Sequence, residues 1–243
     1  MKTILLTGAG GSIGSYIIKS FYKNYNLICV DKNKDKLNAV KKKYGRIKIY
    51  SCDLTKTNEV KKLLKNIIKN KTIDILINNA GTIYSEPLIK FKKKKFKCHS
   101  YKSWLNIINA NLNSTFLISS NIVEHLCNLR KESLIINISS IAALGNKGQS
   151  AYSASKSAIE TLTKVWAKEL ADFNIRVTCI SPGFFNTDST KRSLSNDLIS
   201  DIVSSTPSKR MGTYREFIGA INFIIKNKFF NGKILSLDGG FIL

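Results

Sequence analysis

A chain of 243 residues that is 43% hydrophobic can bury a substantial core, yet no run approaches the roughly 18 apolar residues that a bilayer span requires. The formal charge of +23 invites a nucleic-acid partner, but the excess is mostly Lys spread along the chain, where Arg would serve bidentate phosphate and base contacts better. A Lys, Asn and Ile bias is also what AT-rich coding produces, so neither nucleic acid nor a membrane is an expected partner.

The N-terminus, MKTILLTGAGG, runs from a short apolar stretch straight into glycines, which reads as a first strand over 3–7 and not as a signal peptide. A cytoplasmic protein is therefore expected. Thr7 to Gly14, TGAGGSIG, then opens a helix predicted over 13–24. Glycines at 8, 11 and 14 allow a tight turn, a close backbone approach to a pyrophosphate and packing of helix on sheet, and the amides around Ser12 and Ile13 sit at an anion-favouring helix start. A second strand over 27–31 ends in Asp31, an acid placed to accept the hydroxyls of an adenosine ribose and to repel a 2′-phosphate. NAD is thus preferred, while the neighbouring Lys32 leaves NADP open.

A helix is predicted over 35–43, a strand over 47–51, a helix over 57–69 and a strand over 74–77. Asn78-Asn79-Ala80-Gly81 follows at the carboxyl edge of that fourth strand. Residues 82–100, TIYSEPLIKFKKKKFKCHS, break the rhythm as a long basic connection. Its lysines, with Lys191 and Arg192 farther on, are placed to attract an anionic substrate; the alternative is a solvated loop. Cys98 and His99 are adjacent but lack the further ligands zinc needs, and the five cysteines are scattered and odd in number, so neither a metal site nor a disulfide framework is expected.

A long helix is predicted over 101–128, with Asn109-Ala110-Asn111 inside it although Asn is a poor helix former. The strand over 134–138 ends in Ser139-Ser140. Tyr152 and Lys156 share one face of a helix over 152–172, a turn apart. A tyrosine of ordinary pKa is a poor general acid at neutral pH, and a neighbouring ammonium lowers that pKa. A strand over 175–180 leads to Pro182-Gly183 and Thr187, a helix over 214–226 follows, and the last strand covers 234–237. The alternation implies an α/β fold with a parallel sheet covered by helices on both faces, and no linker divides residues 1–243.

These motifs together resemble the short-chain dehydrogenase/reductase family over essentially the whole chain, nearest to its 3-oxoacyl-[acyl-carrier-protein] reductase-like members. Asp53 in Cys-Asp-Leu-Thr and the terminal Leu237-Asp238-Gly239-Gly240 add to the likeness. The resemblance implies a Rossmann fold with a doubly wound seven-stranded sheet, a homotetramer, and interconversion of a carbonyl and a secondary alcohol by hydride transfer. It implies Tyr152 as general acid or base and Lys156 as the cation that tunes it and holds the nicotinamide ribose. Ser140 would polarise the carbonyl and Asn111 position a water. The cofactor would lie against Gly8, Gly11, Ser12, Ile13, Gly14, Asp31, Asp53, Leu54, Asn79, Ala80, Gly81, Pro182, Gly183 and Thr187, besides Tyr152 and Lys156. Ser12 stands where single-domain members often have Gly. Ser139 would match the family spacing to Tyr152 better than Ser140, but it presents another face. Other substrates open to the same residues are sugars or nucleotide sugars. A non-catalytic cofactor sensor or nucleic-acid binder on this fold is the alternative of another class.

Overall fold

A computed structural model of the chain describes residues 1–69, 72–187, 190 and 195–242. Strands β1 (Thr3–Thr7), β2 (Asn26–Asp31), β3 (Lys48–Ser51) and β4 (Ile75–Asn78) alternate with helices α1 (Ser12–Phe21), α2 (Lys34–Lys43) and α3 (Thr57–Ile68). β5 (Ile89–Lys92) and β6 (Lys95–Cys98) follow, then α4 (Tyr101–Ile108), α5 (Ser114–Leu129), β7 (Ser133–Ile138), α6 (Ser150–Glu169) and β8 (Ile175–Pro182). The chain ends with α7 (Asn196–Ser205), α8 (Tyr214–Lys226) and β9 (Ile234–Leu237).

Seven of these strands form one parallel sheet in the order β3-β2-β1-β4-β7-β8-β9. The apolar runs are strands because both of their faces are covered, as a parallel sheet requires. Ile4 and Leu6 pack on one side with α1, α2 and α8, through Ile17, Phe21, Leu37 and Phe217. Leu5 packs on the other side with α3, α5 and α6, through Leu64, Ile118 and Ala167. The strand order reverses between β1 and β4, so a crevice opens there at the carboxyl ends of the strands.

Three expectations change. The helix predicted over 101–128 is interrupted at Asn109–Asn113 by a π-helical turn, so the asparagines mark a real break. Residues 82–100 are not a plain loop: β5 and β6 pair antiparallel as a hairpin apart from the main sheet. α7 has no counterpart in the predicted elements.

Candidate active site

The phosphate turn is built by close approaches that exclude side chains. Gly8 has φ +65, and a Cβ there would lie 2.8 Å from the Ala80 Cα. A Cβ on Gly14 would run into the Gly8 carbonyl oxygen and come within 2.9 Å of the Ala9 Cα. The Gly11 amide donates to the Gly8 carbonyl at 3.1 Å, which closes the turn. α1 then starts at Gly11 with no side-chain cap and no acid in its first turn, so the amides around Ser12 and Ile13 keep their positive potential for an anion.

Asp31 ends β2 beside this turn. Its Oδ2 accepts from the Gly10 amide and its Oδ1 from the Asn33 amide, both at 2.9 Å. A carboxylate has further lone pairs, so the same group can still accept ribose hydroxyls. Asp53, half-buried after β3, accepts from the Thr55 amide and hydroxyl at 3.0 and 2.8 Å. Burial alone would raise its pKa, but those hydrogen bonds and the nearby Lys56 and Lys32 hold it below the usual carboxylate value. Leu54 beside it is buried.

The Asn78–Gly81 segment is tied to β1 by Thr7. The Thr7 hydroxyl accepts from the amides of Asn79 and Ala80, each at 3.0 Å, and the Asn79 carboxamide donates to the carbonyls of Thr7 and Gly8 at 3.1 Å. Beneath, the buried Asn78 carboxamide donates to Ser119 Oγ at 2.9 Å and to Asn137 Oδ1 at 2.8 Å, and Asn137 donates to Thr163 Oγ1 at 2.9 Å. This chain of polar groups joins α5, β4, β7 and α6, the elements that carry the candidate catalytic residues.

Asn111 lies in the π-helical turn and is fully buried. Its Oδ1 accepts from the Thr82 amide at 2.7 Å, while its Nδ2 donates to the Thr82 carbonyl at 3.1 Å and to Ser155 Oγ at 3.2 Å. A Cβ on Gly81 would lie 3.0 Å from Asn111 Oδ1 and 3.6 Å from Lys156 Nζ, so Gly81 keeps the space between them open.

The two serines after β7 differ in environment. Ser139 is buried and donates to the Lys156 carbonyl at 3.1 Å. Ser140 is half-buried, accepts from the Ala142 amide at 3.2 Å, and acts on the Tyr152 phenol. An acceptor site filled by a backbone amide leaves the Ser140 O–H free to donate. Tyr152 is 7% exposed and packs with Ile107, Ala142 and Ala151 under Tyr84 and Trp104. Burial pushes the Tyr152 phenol up, with Ser140 pulling the other way. Lys156 Nζ lies 5.8 Å from the Tyr152 ring centre and donates to the Ile138 carbonyl at 2.8 Å. Burial brings the Lys156 ammonium down to about 8. In the protein alone, then, the Tyr152 pKa is raised by burial and not lowered as the spacing to Lys156 suggests.

Pro182 ends β8, the Gly183 amide donates to the Leu237 carbonyl at 2.9 Å, and Thr187 is buried with its hydroxyl 2.8 Å from that of Thr190. Lys191 and Arg192 fall outside the described residues.

A family model described as short chain dehydrogenase matches residues 2–197. The chain belongs to the short-chain dehydrogenase family. It is an NAD(P)-dependent oxidoreductase. This dehydrogenase is 31% identical to the 3-oxoacyl-[acyl-carrier-protein] reductase FabG of Thermotoga maritima, over 100% of this chain and 98% of that one. It is 34% identical to the protein of the same name from Buchnera aphidicola subsp. Schizaphis graminum, over 98% and 96% of the two chains. Among solved structures it is similar to 4-hydroxyisoleucine dehydrogenase complexed with NADH, with a TM-score of 0.89 at 30% identity, covering 99% of this chain and 98% of that one.

Several residues that shape the site of the dehydrogenase are not evident from its motifs. Thr7 ends a strand and looks like one more β-branched residue, yet it orders the Asn79–Ala80 backbone. Tyr84, early in the 82–100 segment, and Trp104, in α4 just after it, wall the space beside Tyr152. Gln149 donates to Ser85 Oγ at 3.1 Å, and its backbone pairs with that of Glu86, so the approach to Tyr152 is closed on that side. The signal for these was available only in the aromatic residues flanking a long connection.

Proposed function

We propose that the dehydrogenase reduces 3-oxoacyl thioesters to 3-hydroxyacyl thioesters with NADH, as a homotetramer. The observation that carries the reading is a buried tyrosine, Tyr152, next to the Ser140 hydroxyl at the carboxyl ends of the central strands, with Lys156 one helical turn away. The glycine turn, folded too tightly for side chains at Gly8 and Gly14, brings the uncapped helix start of α1 beside the Ala80 and Gly81 backbone, an arrangement that suits the pyrophosphate of a dinucleotide. A nicotinamide cofactor held there by the Gly8–Gly14 turn and Asp31 would supply the hydride for the substrate carbonyl carbon.

The remaining work falls to the chain. Ser140 donates its free O–H to the substrate carbonyl oxygen and orients it. Tyr152 gives its phenolic proton to that oxygen as the alcohol forms. Because burial disfavours a bare phenolate, the nearby Lys156 charge stabilises it in the act of transfer. Asn111 keeps the Thr82 backbone and Gly81 in place so that Lys156 remains accessible from the crevice. Asp31 selects NADH by accepting ribose hydroxyls where a 2′-phosphate would meet its negative charge. The thioester class follows the names of the relatives at 31% and 34% identity. An apolar groove between α5 and α6, lined by Leu112, Phe116, Ala158 and Leu162 with Phe116 48% exposed, favours association of copies, and the number four follows the family resemblance alone.

The test is NADH oxidation with a short 3-oxoacyl thioester, comparing wild type with Tyr152→Phe. Loss of the proton donor predicts a fall in turnover of about 10²- to 10⁴-fold with cofactor affinity nearly kept. Turnover of the variant close to wild type would remove Tyr152 from the mechanism, and a wild type active only on other carbonyls would remove the thioester assignment.

A further inference from the structure

The hairpin of β5 and β6 separates its side chains by chemistry. The register sets Ile89 opposite Cys98, Lys90 opposite Lys97, Phe91 opposite Phe96 and Lys92 opposite Lys95. Strand alternation therefore puts Ile89, Phe91, Phe96 and Cys98 on one face and Lys90, Lys92, Lys95 and Lys97 on the other. The turn is Lys93-Lys94, with φ of 52 and 59 at the two positions. The phenylalanine rings pack on each other with centres 5.1 Å apart, yet they stay 66% and 72% exposed; Ile89 and the preceding Leu88 are 56% and 74% exposed. No acidic residue lies between Pro87 and Cys98.

Taken alone in water, this element works against itself. Like charges directly across a strand pair are destabilising, a two-residue turn with both φ positive favours Asn-Gly over Lys-Lys, and an isolated hairpin is marginal. Its base is nonetheless fixed: Lys90 Nζ is 3.3 Å from Glu86 Oε1, the His99 amide donates to the Leu88 carbonyl at 2.8 Å, and His99 Nδ1 lies 2.9 Å from the Glu86 carbonyl. A held platform that presents exposed aromatics on one side and, on the other, Lys92, Lys95 and Lys97 with no acidic partner among the described residues points to an outside partner that satisfies both.

We propose that the hairpin docks the enzyme on an anionic lipid surface, with the Phe91/Phe96 face at the acyl boundary and the lysines among acidic headgroups. Separated faces, one aromatic and aliphatic and one lysine-rich, are the pattern of elements that lie in a bilayer interface. A single nucleic-acid strand needs stacking rings and cations together along one groove, which this hairpin does not offer. Attraction of an anionic substrate engages the lysines and leaves the phenylalanines in water. A second copy packed on the Phe91/Phe96 face covers the rings but leaves the lysines of both hairpins facing outward without a counter-charge. The absence of a long apolar run argues only against a span, and docking of this kind needs none.

Sedimentation with vesicles of phosphatidylcholine alone, or mixed with phosphatidylglycerol, tests the proposal on the intact enzyme. Binding to the mixed vesicles is expected, weaker by about tenfold or more on neutral vesicles or in high salt, since each lysine near the surface adds to the attraction. Phe91→Ser/Phe96→Ser and Lys92→Gln/Lys95→Gln should each lower the bound fraction strongly, while the phenylalanine variant keeps wild-type thioester reduction in solution and both keep the wild-type thermal midpoint. In a separate variant, Phe96→Trp, fluorescence should be quenched by brominated lipid. Failure of the wild type to bind mixed vesicles overturns the proposal, as does full binding by the double phenylalanine variant. Binding of single-stranded RNA in place of vesicles, or a change of oligomeric mass in that variant, overturns it in favour of those partners. Because reductase activity is read separately, loss of the thioester assignment leaves this test standing.

Discussion

The Asn111 carboxamide and the Thr82 backbone hold each other through two hydrogen bonds, one into Oδ1 at 2.7 Å and one from Nδ2 at 3.1 Å. The pair links the π-helical turn to the segment leaving β4, across the crevice from Lys156. Asn111→Leu strands the Thr82 amide and carbonyl beneath a buried apolar side chain, while the Ser155 hydroxyl keeps its bond to the Tyr152 carbonyl at 2.7 Å. A buried polar group left unpaired costs about 1–3 kcal/mol, so the thermal midpoint should fall by several degrees. Turnover should fall more than cofactor affinity, and calorimetry alongside steady-state rates separates the two.

The serines give a paired prediction. Ser140→Ala removes the free donor, and by analogy with loss of one oxyanion donor turnover should drop about 10²-fold with stability nearly unchanged. Ser139→Ala removes a buried hydrogen bond to the Lys156 carbonyl and should cost about 1 kcal/mol of stability with turnover within a few-fold of wild type. The reverse pattern in rates would move the carbonyl contact to Ser139.

Lys156 carries a cost of burial that depends on pH. Its folded pKa is lowered from 10.5 to about 8, so folding disfavours its charged form. Below about pH 8 the ammonium is present in both states and the full penalty applies, about 3 kcal/mol. As pH rises from 8 toward 10.5 only the unfolded chain holds the proton, and the penalty fades. Lys156→Met should therefore be inactive yet more stable than wild type at pH 7, with the advantage shrinking by pH 10. Melting curves of both proteins across that range read it directly. A variant less stable than wild type at pH 7 means that the bond to the Ile138 carbonyl outweighs desolvation.

Asp31 sets the cofactor prediction. NADH should bind more tightly than NADPH in calorimetry, and Asp31→Ala should narrow the gap mainly by improving NADPH. The substitution also frees the Gly10 and Asn33 amides, so some loss of NADH affinity is expected. A wild-type preference for NADPH would place Lys32 in control of that subsite.

What was legible in the sequence follows from local physics. Runs such as Ile4 to Leu6 and Leu134 to Ile136 are apolar on consecutive residues because both faces of the strand are covered, and they lie in β1 and β7. Tyr152 and Lys156 were readable because helical spacing needs no tertiary knowledge. The asparagines at 109 and 111 hinted at a break, but the π-helical turn depends on Thr82, which no local pattern connects to Asn111. The Ser119–Asn78–Asn137–Thr163 chain was out of reach for the same reason. The hairpin was hidden differently. Ile-Lys-Phe-Lys and Lys-Phe-Lys-Cys alternate as strands should, but the Lys-Lys turn between them carries none of the usual turn residues, and charge density drew the reading toward a loop.

The polar chain under the crevice and the bonds within 82–100 divide the labour of the fold. The groups around Tyr152 are braced from beneath by Asn78 and Asn137, whereas the Tyr84 part of the wall belongs to a segment tied largely to itself through Glu86, His99 and Ser100. Substrate range can therefore drift, or be engineered, by exchanging that segment between the Thr82 clasp and α4, while the chemistry stays mounted on its own frame.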